Sequence, residues 1–348
     1  MTTAHAEREA RRVHKKEVVV VLHRQTESPC GQRATTSMIG GMRPRPLPLE
    51  LLDSPFARRR ALELGVAPGR LRASDRYVPH RGVRSPARAS TLVWCAADAL
   101  PLLLEGEWFS HVTALSLWGL PLSARWEAAD LHVAGTRRRQ LRRPGLVGHR
   151  LVRQSSRRTV SGLPVSSPLQ AWVESASLLA LDELVQVGDA LAGRWSPHAA
   201  ARRLPMSALA ETVSLARARR RPGAVRLGQA MSLVRERVDS PRETLLRLQI
   251  VRAGRPEPEV NVRRLGSDGS WLGRPDLSYP DEKVVVDFEG DGHRTDRRQW
   301  ETDVDRRERF VDDGWAYLRV TNQHLGPPRW QQFLTRLDRE LGRHGASQ

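Results

Sequence analysis

The chain has 348 residues, enough for two or three domains with cores of their own. It carries 57 Lys and Arg against 39 Asp and Glu, a formal net charge of +18; that favours a polyanionic partner, nucleic acid first and an anionic membrane surface second, although a GC-rich genome that uses arginine as its default solvated residue would give part of the same excess. Its two cysteines, Cys30 and Cys95, form no CxxC, which argues against a disulfide scaffold or a zinc finger and fits a reducing cytoplasm, and no apolar run approaches the roughly 20 residues of a membrane span.

Residues 1–45 are polar, basic and aperiodic, and are expected to form a disordered leader. Met38 and Met42 precede the first globular pattern, so a start codon assigned too far upstream is one explanation for the leader. From Leu47 on, Ser54 suits an N-cap and Pro55 a first helical position. Phe56, Ala61 and Leu64 mark an apolar face, and Gly65 ends the helix. A short second helix is expected at Pro68 to Ala73, and a strand or wing at Tyr77 to Val83. Helix, glycine turn, short helix and wing make a winged helix-turn-helix pattern over 46–100. Arg58, Arg59, Arg60, Arg70, Arg72, Arg76 and Arg81 are its candidate DNA-facing residues.

The next segment contains Phe109-Ser110-His111-Val112-Thr113-Ala114-Leu115-Ser116-Leu117-Trp118-Gly119-Leu120-Pro121. Leu131-His132-Val133, Gly148-His149-Arg150, Gly162-Leu163-Pro164-Val165 and Leu181-Asp182-Glu183-Leu184 follow. The series resembles AbiEi-type antitoxin proteins over roughly Leu47 to Ala192. The resemblance implies a winged-helix head, a mixed α/β module over 101–192, and a role as a type IV antitoxin or transcriptional autorepressor. His111, His132 and His149 are of a type that binds metals. Their spacing matches no compact zinc motif, so they are read as structural or surface residues.

Residues 193–238 read as a helical linker. Met206 to Arg219 places Leu209, Val213 and Ala216 on one face, and Arg217, Arg219, Arg220 and Arg221 at its end. Those cations either complement the helix dipole or contact phosphates. Pro222-Gly223 breaks the helix.

The last segment, 239–348, opens with Ser240-Pro241-Arg242-Glu243, which has the form of a capping box. Leu245, Leu246, Ile250 and Ala253 form the core face of its helix, and Gly254 is the stop. Strands are expected at Glu259 to Arg264, Gly273 to Ser278 and Lys283 to Glu289, with Asp268-Gly269 as a hairpin turn. Trp300, Val304 and Val311 line a further helix, Gly314 ends it, and Tyr317 to Thr321 is another strand. Asp287 and Glu289 lie two apart on one strand and so share a face. Asp276 joins them from the strand before. Such a cluster of acids is tolerated when a divalent cation neutralises it, and oxygen ligands suit Mg²⁺ or Mn²⁺.

Pro275-Asp276, then Asp287-Phe288-Glu289-Gly290-x-x-His293, Asp303-x-x-Arg306 and Gly314-Trp315-Ala316-Tyr317-Leu318-Arg319 resemble the very-short-patch-repair (Vsr)-like endonucleases of the PD-(D/E)XK superfamily. The resemblance implies a restriction-endonuclease-like α-β-β-β-α-β core. It implies metal ligation by Asp276 and Asp287 with the Phe288 carbonyl. Glu243 either caps its helix alone or also reaches the metal, directly or through water. His293 would act as acid or base, and Arg306 would contact phosphate or hold Asp287. Glu289 stands where the superfamily usually has lysine, and the acidic pair runs Asp then Glu where the family more often has Glu then Asp.

The expected protein is a cytoplasmic α/β chain that could associate with the nucleoid. Its leading function is metal-dependent DNA cleavage or nicking, on duplex or nicked DNA, in genome defence or a toxin–antitoxin context. Two alternatives stand beside it: a DNA-binding regulator with a silent nuclease fold, and a module that neutralises a cognate toxin. No membrane partner is expected.

Overall fold

The computed structural model describes residues 45–345 apart from 90, 128, 137–141, 152–155 and 290–296. The leader up to residue 44 and His293 lie outside the described residues, as do the side chains of Trp300 and Val304. The described chain is a mixed α/β protein with two compact units. One holds the described residues up to Leu117 together with Glu127–Ser167. The other holds Trp118–Trp126 and the chain from Pro168 on.

In the first unit, β1 (Phe56–Ala57) pairs antiparallel with β2 (Val83–Arg84), and α1 (Arg58–Glu63) follows β1 directly. The helix expected with Ser54 as N-cap therefore starts three residues later, with Ala57 in that position. Phe56 is drawn into a strand because its buried ring joins Leu51, Ala61 and Leu71 in a small core. The expected second helix is a single 3-10 turn, Arg70–Arg72. The expected Tyr77 to Val83 strand is instead a bridge from Tyr77 to Ser85 around a turn at Gly82, whose φ is 89°. Gly65 ends α1 at φ 78°, a conformation that only glycine adopts without cost.

Helix α2 (Leu92–Ala99), β3 (Glu107–Phe109) and α3 (His111–Leu117) come next, followed by β4 (Leu131–Gly135), β5 (Arg142–Arg143), β6 (Leu146–Arg150), β7 (Arg157–Val160) and β8 (Leu163–Ser166). The six strands form one sheet in the order β5-β6-β4-β3-β8-β7. The β4–β6 and β3–β8 pairs are parallel and the others antiparallel. Helix α3 packs on β4 and β8. Trp108 and Phe109 are fully buried on β3, and the Trp108 indole donates to Ser166 Oγ at 2.9 Å. The donation satisfies a polar atom that burial would otherwise leave unpaired.

The second unit begins with four helices: α4 (Pro168–Ser175), α5 (Leu181–Ala192), α6 (Met206–Ala218) and α7 (Ala224–Leu233). Leu209, Val213 and Ala216 are the buried residues of α6, the face its periodicity predicts. Helix α8 (Pro241–Arg252) opens with Ser240 as N-cap, its Oγ accepting from the Glu243 N–H at 3.2 Å. This helix buries more than its predicted face. Thr244, Arg247 and Leu248 are buried as well, because α8 packs against α5 as well as the sheet. Arg247 donates to Asp189 Oδ2 on α5 and to the Leu233 carbonyl, at 3.3 and 2.8 Å. Burial pushes Asp189 up to about 6 against the pull of Arg247.

Beyond α8 lie β9 (Glu259–Val260), β10 (Arg264–Leu265), β11 (Trp271–Gly273), β12 (Leu277–Tyr279), β13 (Val284–Glu289), α9 (Arg297–Asp312), β14 (Ala316–Thr321) and α10 (Arg329–Gly345). Strands β10 and β11 form the hairpin expected at Asp268-Gly269. The single strand expected at Gly273 to Ser278 divides at Arg274-Pro275: β11 pairs with β10, whereas β12 pairs with β13 and β9. Proline offers no N–H to a continuous ladder. The main sheet has the order β14-β13-β12-β9, with β13 and β14 parallel. Val284 and Val286 face a core built with Leu246 and Ile250 of α8 and with Phe333, Leu334 and Leu337 of α10. Val285 faces Phe310 of α9 and Trp315. A strand buried on both faces reads as an unbroken apolar run, which is what Val284-Val285-Val286 shows. Among the described side chains of α9 the buried one is Phe310, while Val311 is 50% exposed, one step off the predicted face.

Candidate functional site

Leu277 pairs with Val286 in the antiparallel register, and Asp276 and Asp287 are the next residues beyond that pair. The two acids lie where β12 begins and β13 nears its end. The Asp276 N–H donates to Asp287 Oδ1 at 2.8 Å, and the Phe288 N–H donates to Asp276 Oδ2 at 2.7 Å. Each carboxylate is thus held by backbone next to the other. Asp287 is buried, and its Oδ2 takes an ion pair from Arg306 Nη2 of α9 at 2.7 Å and a hydrogen bond from the Tyr317 hydroxyl of β14. Burial, and then the charge of Asp287, raise the Tyr317 hydroxyl above its ordinary range, so it stays protonated as a donor.

Glu243 is buried at the start of α8. Its Oε2 accepts from the Asp239 N–H at 3.0 Å and from Asn261 Nδ2 at 2.6 Å. Only the Ser240 half of the expected capping box forms: the Glu243 carboxylate binds one residue before the N-cap, with Asn261 as its second partner. Its charge also bears on Asp276. Burial first, then Asp287 and Glu243, raise Asp276 well above the usual carboxylate range. Glu243 is itself raised by burial. Three acids with Arg306 as the neighbouring cation make a site with an excess of negative charge. A divalent cation would offset it, and the donor set is all oxygen, the kind that Mg²⁺ and Mn²⁺ take.

Glu289 does not join this group. It lies on the same face of β13 but ion-pairs with Arg319 of β14. Phe288 packs its ring against the core that contains Val286 and Leu318. Tyr317 and Asn261 were not among the residues expected at the site. Tyr317 had a readable signal in the alternation of β14, which puts Tyr317 and Arg319 on one face. Asn261 had none, since its reach to Glu243 depends on a left-handed backbone at φ 49°.

The candidate DNA-facing arginines separate by surroundings. Arg58, Arg59, Arg72 and Arg81 are exposed, with Arg59 ion-paired to Glu63 at 3.0 Å. Arg60 lies 3.5 Å from Glu50. Arg70 is bound to Asp75 by two hydrogen bonds at 2.8 and 2.7 Å and also reaches the Arg45 carbonyl. Arg76 donates to the Leu52 carbonyl at 2.7 Å. Arg70 and Arg76 therefore hold the fold of this segment together. Among the described residues, no helix is long and apolar enough to cross a membrane. No known protein family, curated protein or solved structure matches the chain, so any functional reading rests on the residues themselves.

Proposed function

We propose that the protein is a divalent-metal-dependent DNA endonuclease or nicking enzyme of the PD-(D/E)XK kind, acting in bacterial genome defence or beside a cognate toxin. The observation that carries this reading is the mutually repelling pair of half-buried Asp276 and buried Asp287 near the end of β13, with buried Glu243 bearing on it. Asp276 and Asp287, with the Phe288 carbonyl, would hold Mg²⁺ or Mn²⁺, which when bound supplies charge neutralisation at the scissile phosphate and a more acidic water. Arg306 and Tyr317 orient the Asp287 carboxylate. His293 is the proposed proton carrier, because histidine is the side chain whose unperturbed pKa lies closest to neutrality. The exposed Arg58, Arg59, Arg72 and Arg81 would meet the backbone of the DNA.

A second reading is favoured by one specific observation. Asp287 Oδ2 is already engaged by Arg306 and Tyr317, and Glu289 pairs with Arg319 where related nucleases place a lysine. A DNA-binding regulator or antitoxin with a silent nuclease fold would carry such a site. Supercoiled plasmid incubated with the full chain and Mn²⁺ or Mg²⁺ separates the two. Metal-dependent nicking that Asp276→Ala abolishes supports the enzyme. DNA binding without nicking in either metal supports the regulator.

A further inference from the structure

We propose that His111, His132 and His149 together bind one divalent transition-metal ion of the zinc class through three imidazole nitrogens. The cluster is separate from the carboxylate site and lies wholly in the first compact unit. One ring nitrogen from each histidine lies within 4.8 Å of the others, and among the described residues no other group of three His, Cys, Asp or Glu gathers so closely.

The fold brings these residues together from three elements. His132 is on β4 and His149 on β6, and the parallel register sets His149 opposite Ala134. Residues 132 and 134 share a face, so the two histidines are diagonal neighbours on one side of the sheet. His132 Nδ1 and His149 Nε2 are 2.8 Å apart. His111 comes from the first residue of α3, and its ring stacks on His149 with centroids 3.6 Å apart.

Two hydrogen bonds lock α3 to β4 at this point. The Ser110 N–H donates to the His132 carbonyl at 2.9 Å, and the His132 N–H donates to Thr113 Oγ1 at 2.8 Å. His111 Nδ1 lies 2.9 Å from Ser110 Oγ, a partner of the kind that sets the orientation of a ligating imidazole. His111 also holds φ at 51°, a left-handed conformation that a non-glycine residue keeps only where its surroundings over-determine it. The site is therefore preorganised by the fold.

Chemistry selects the ion. Neutral imidazole suits zinc, copper, nickel or cobalt and does not suit magnesium. Burial disfavours a charged ring at both His132 and His149. Neutral imidazole is the form that ligates. A tetrahedral ion with bonds of about 2.0–2.1 Å keeps its nitrogens roughly 3.3–3.4 Å apart. The His132–His149 pair at 2.8 Å would have to open by only about half an ångström. Three protein ligands leave a fourth position for water or another small ligand.

The test is a titration of the full, chelator-treated chain with Co²⁺, read by visible absorption. Nitrogen ligation at low coordination number gives strong bands, and oxygen-ligated Co²⁺ gives weak ones. The expected result is saturation at one Co²⁺ per chain, displacement by Zn²⁺, and no competition from Mg²⁺. Zn²⁺ at a hundredfold excess over its Kd should raise the melting temperature by roughly 5–10 °C. His149→Gln should lose the bands while keeping a native circular-dichroism spectrum, and Asp276→Asn should keep them. Absence of strong bands in the wild-type chain would mean that the three rings are only a proton-sharing stack. Bands retained by both His149→Gln and His132→Gln, or lost in Asp276→Asn, would place the ion elsewhere. Either outcome overturns the proposal, and neither depends on whether the chain cleaves DNA.

Discussion

Asp276 donates its backbone N–H to the carboxylate of Asp287, and its own carboxylate accepts from the residue after Asp287, so each acid is fixed by backbone beside the other. This pairing holds two like charges together in a buried place, and it invites a cation.

The first prediction follows from that repulsion. The folded pKa of Asp276 is raised, so its contribution to stability is present below the unfolded pKa and lost as pH rises through the folded one. Above the raised folded pKa, Asp276→Asn removes a charge and keeps an oxygen to accept from the Phe288 N–H. The metal-free variant should melt about 2–4 °C above wild type for each kcal/mol relieved. Millimolar Mn²⁺ should raise the melting temperature of wild type and leave the variant unmoved. A variant that melts lower and still responds to Mn²⁺ would rule out a metal site at this pair.

Glu289 is the control for turnover. It pairs with Arg319 on the exposed end of β13. If the wild type nicks DNA, Glu289→Lys should lower that activity, and Asp287→Ala should remove nearly all of it. If the wild type is inert on duplex, nicked and single-stranded DNA and Glu289→Lys creates activity, the natural chain is a silenced nuclease. A nicking gel with all three proteins reads both outcomes.

The arginines of the first unit should divide into two groups. Replacing Arg58, Arg72 and Arg81 with Ala should weaken duplex binding and flatten its salt dependence. The slope of log K against log salt should fall by about 0.9 for each phosphate that is no longer neutralised. Melting should change little. Arg70→Ala should lower stability by roughly 1–2 kcal/mol, because its guanidinium joins Asp75 and the Arg45 carbonyl. Equal salt slopes for wild type and the triple variant would remove this surface from the DNA reading.

Asp313 sets an acid limit. The Ser267 N–H and hydroxyl, each at 2.8 Å, together with the Trp315 indole, hold its carboxyl down to about 2. A depressed folded pKa means stability that is present above the unfolded value and lost as pH falls through the folded one. Wild type should therefore lose stability between about pH 4 and pH 2, and Asp313→Asn should lose less across that window. Parallel urea melts at pH 4, 3 and 2 would settle it, and identical slopes would contradict the assignment.

Arg247 and Asp189 are each 1% exposed, so breaking the pair strands a buried charge. Arg247→Ala should cost about 3–5 kcal/mol. The double change Arg247→Met with Asp189→Leu should recover much of that loss, since a buried ion pair is often no better than apolar packing. A double variant as unstable as Arg247→Ala would show that the other bonds of Arg247, to the Leu233 carbonyl and to Glu257 Oε1, each at 2.8 Å, dominate.

The amino-acid sequence by itself determined what depends on near neighbours. The Ser240 cap, the glycine stops at 65, 254 and 314, the Asp268-Gly269 hairpin, the buried face of α6 and the Val284-Val285-Val286 strand are each set by residues within a few positions. The pairing of Asp276 with Asp287 was also readable, because a short antiparallel connection leaves little choice of register. Tertiary structure decided the rest. Tyr317 meets Asp287 only through the parallel β13–β14 pairing, and Glu289 is claimed by Arg319 for the same reason. Phe56 became a strand residue because β2 lies beside it. His111, His132 and His149 meet because parallel strands are joined by connections whose length does not fix their register, and α3 docks where side-chain packing places it. No spacing along the chain encodes that meeting, in which a helix residue joins two histidines on one face of a sheet.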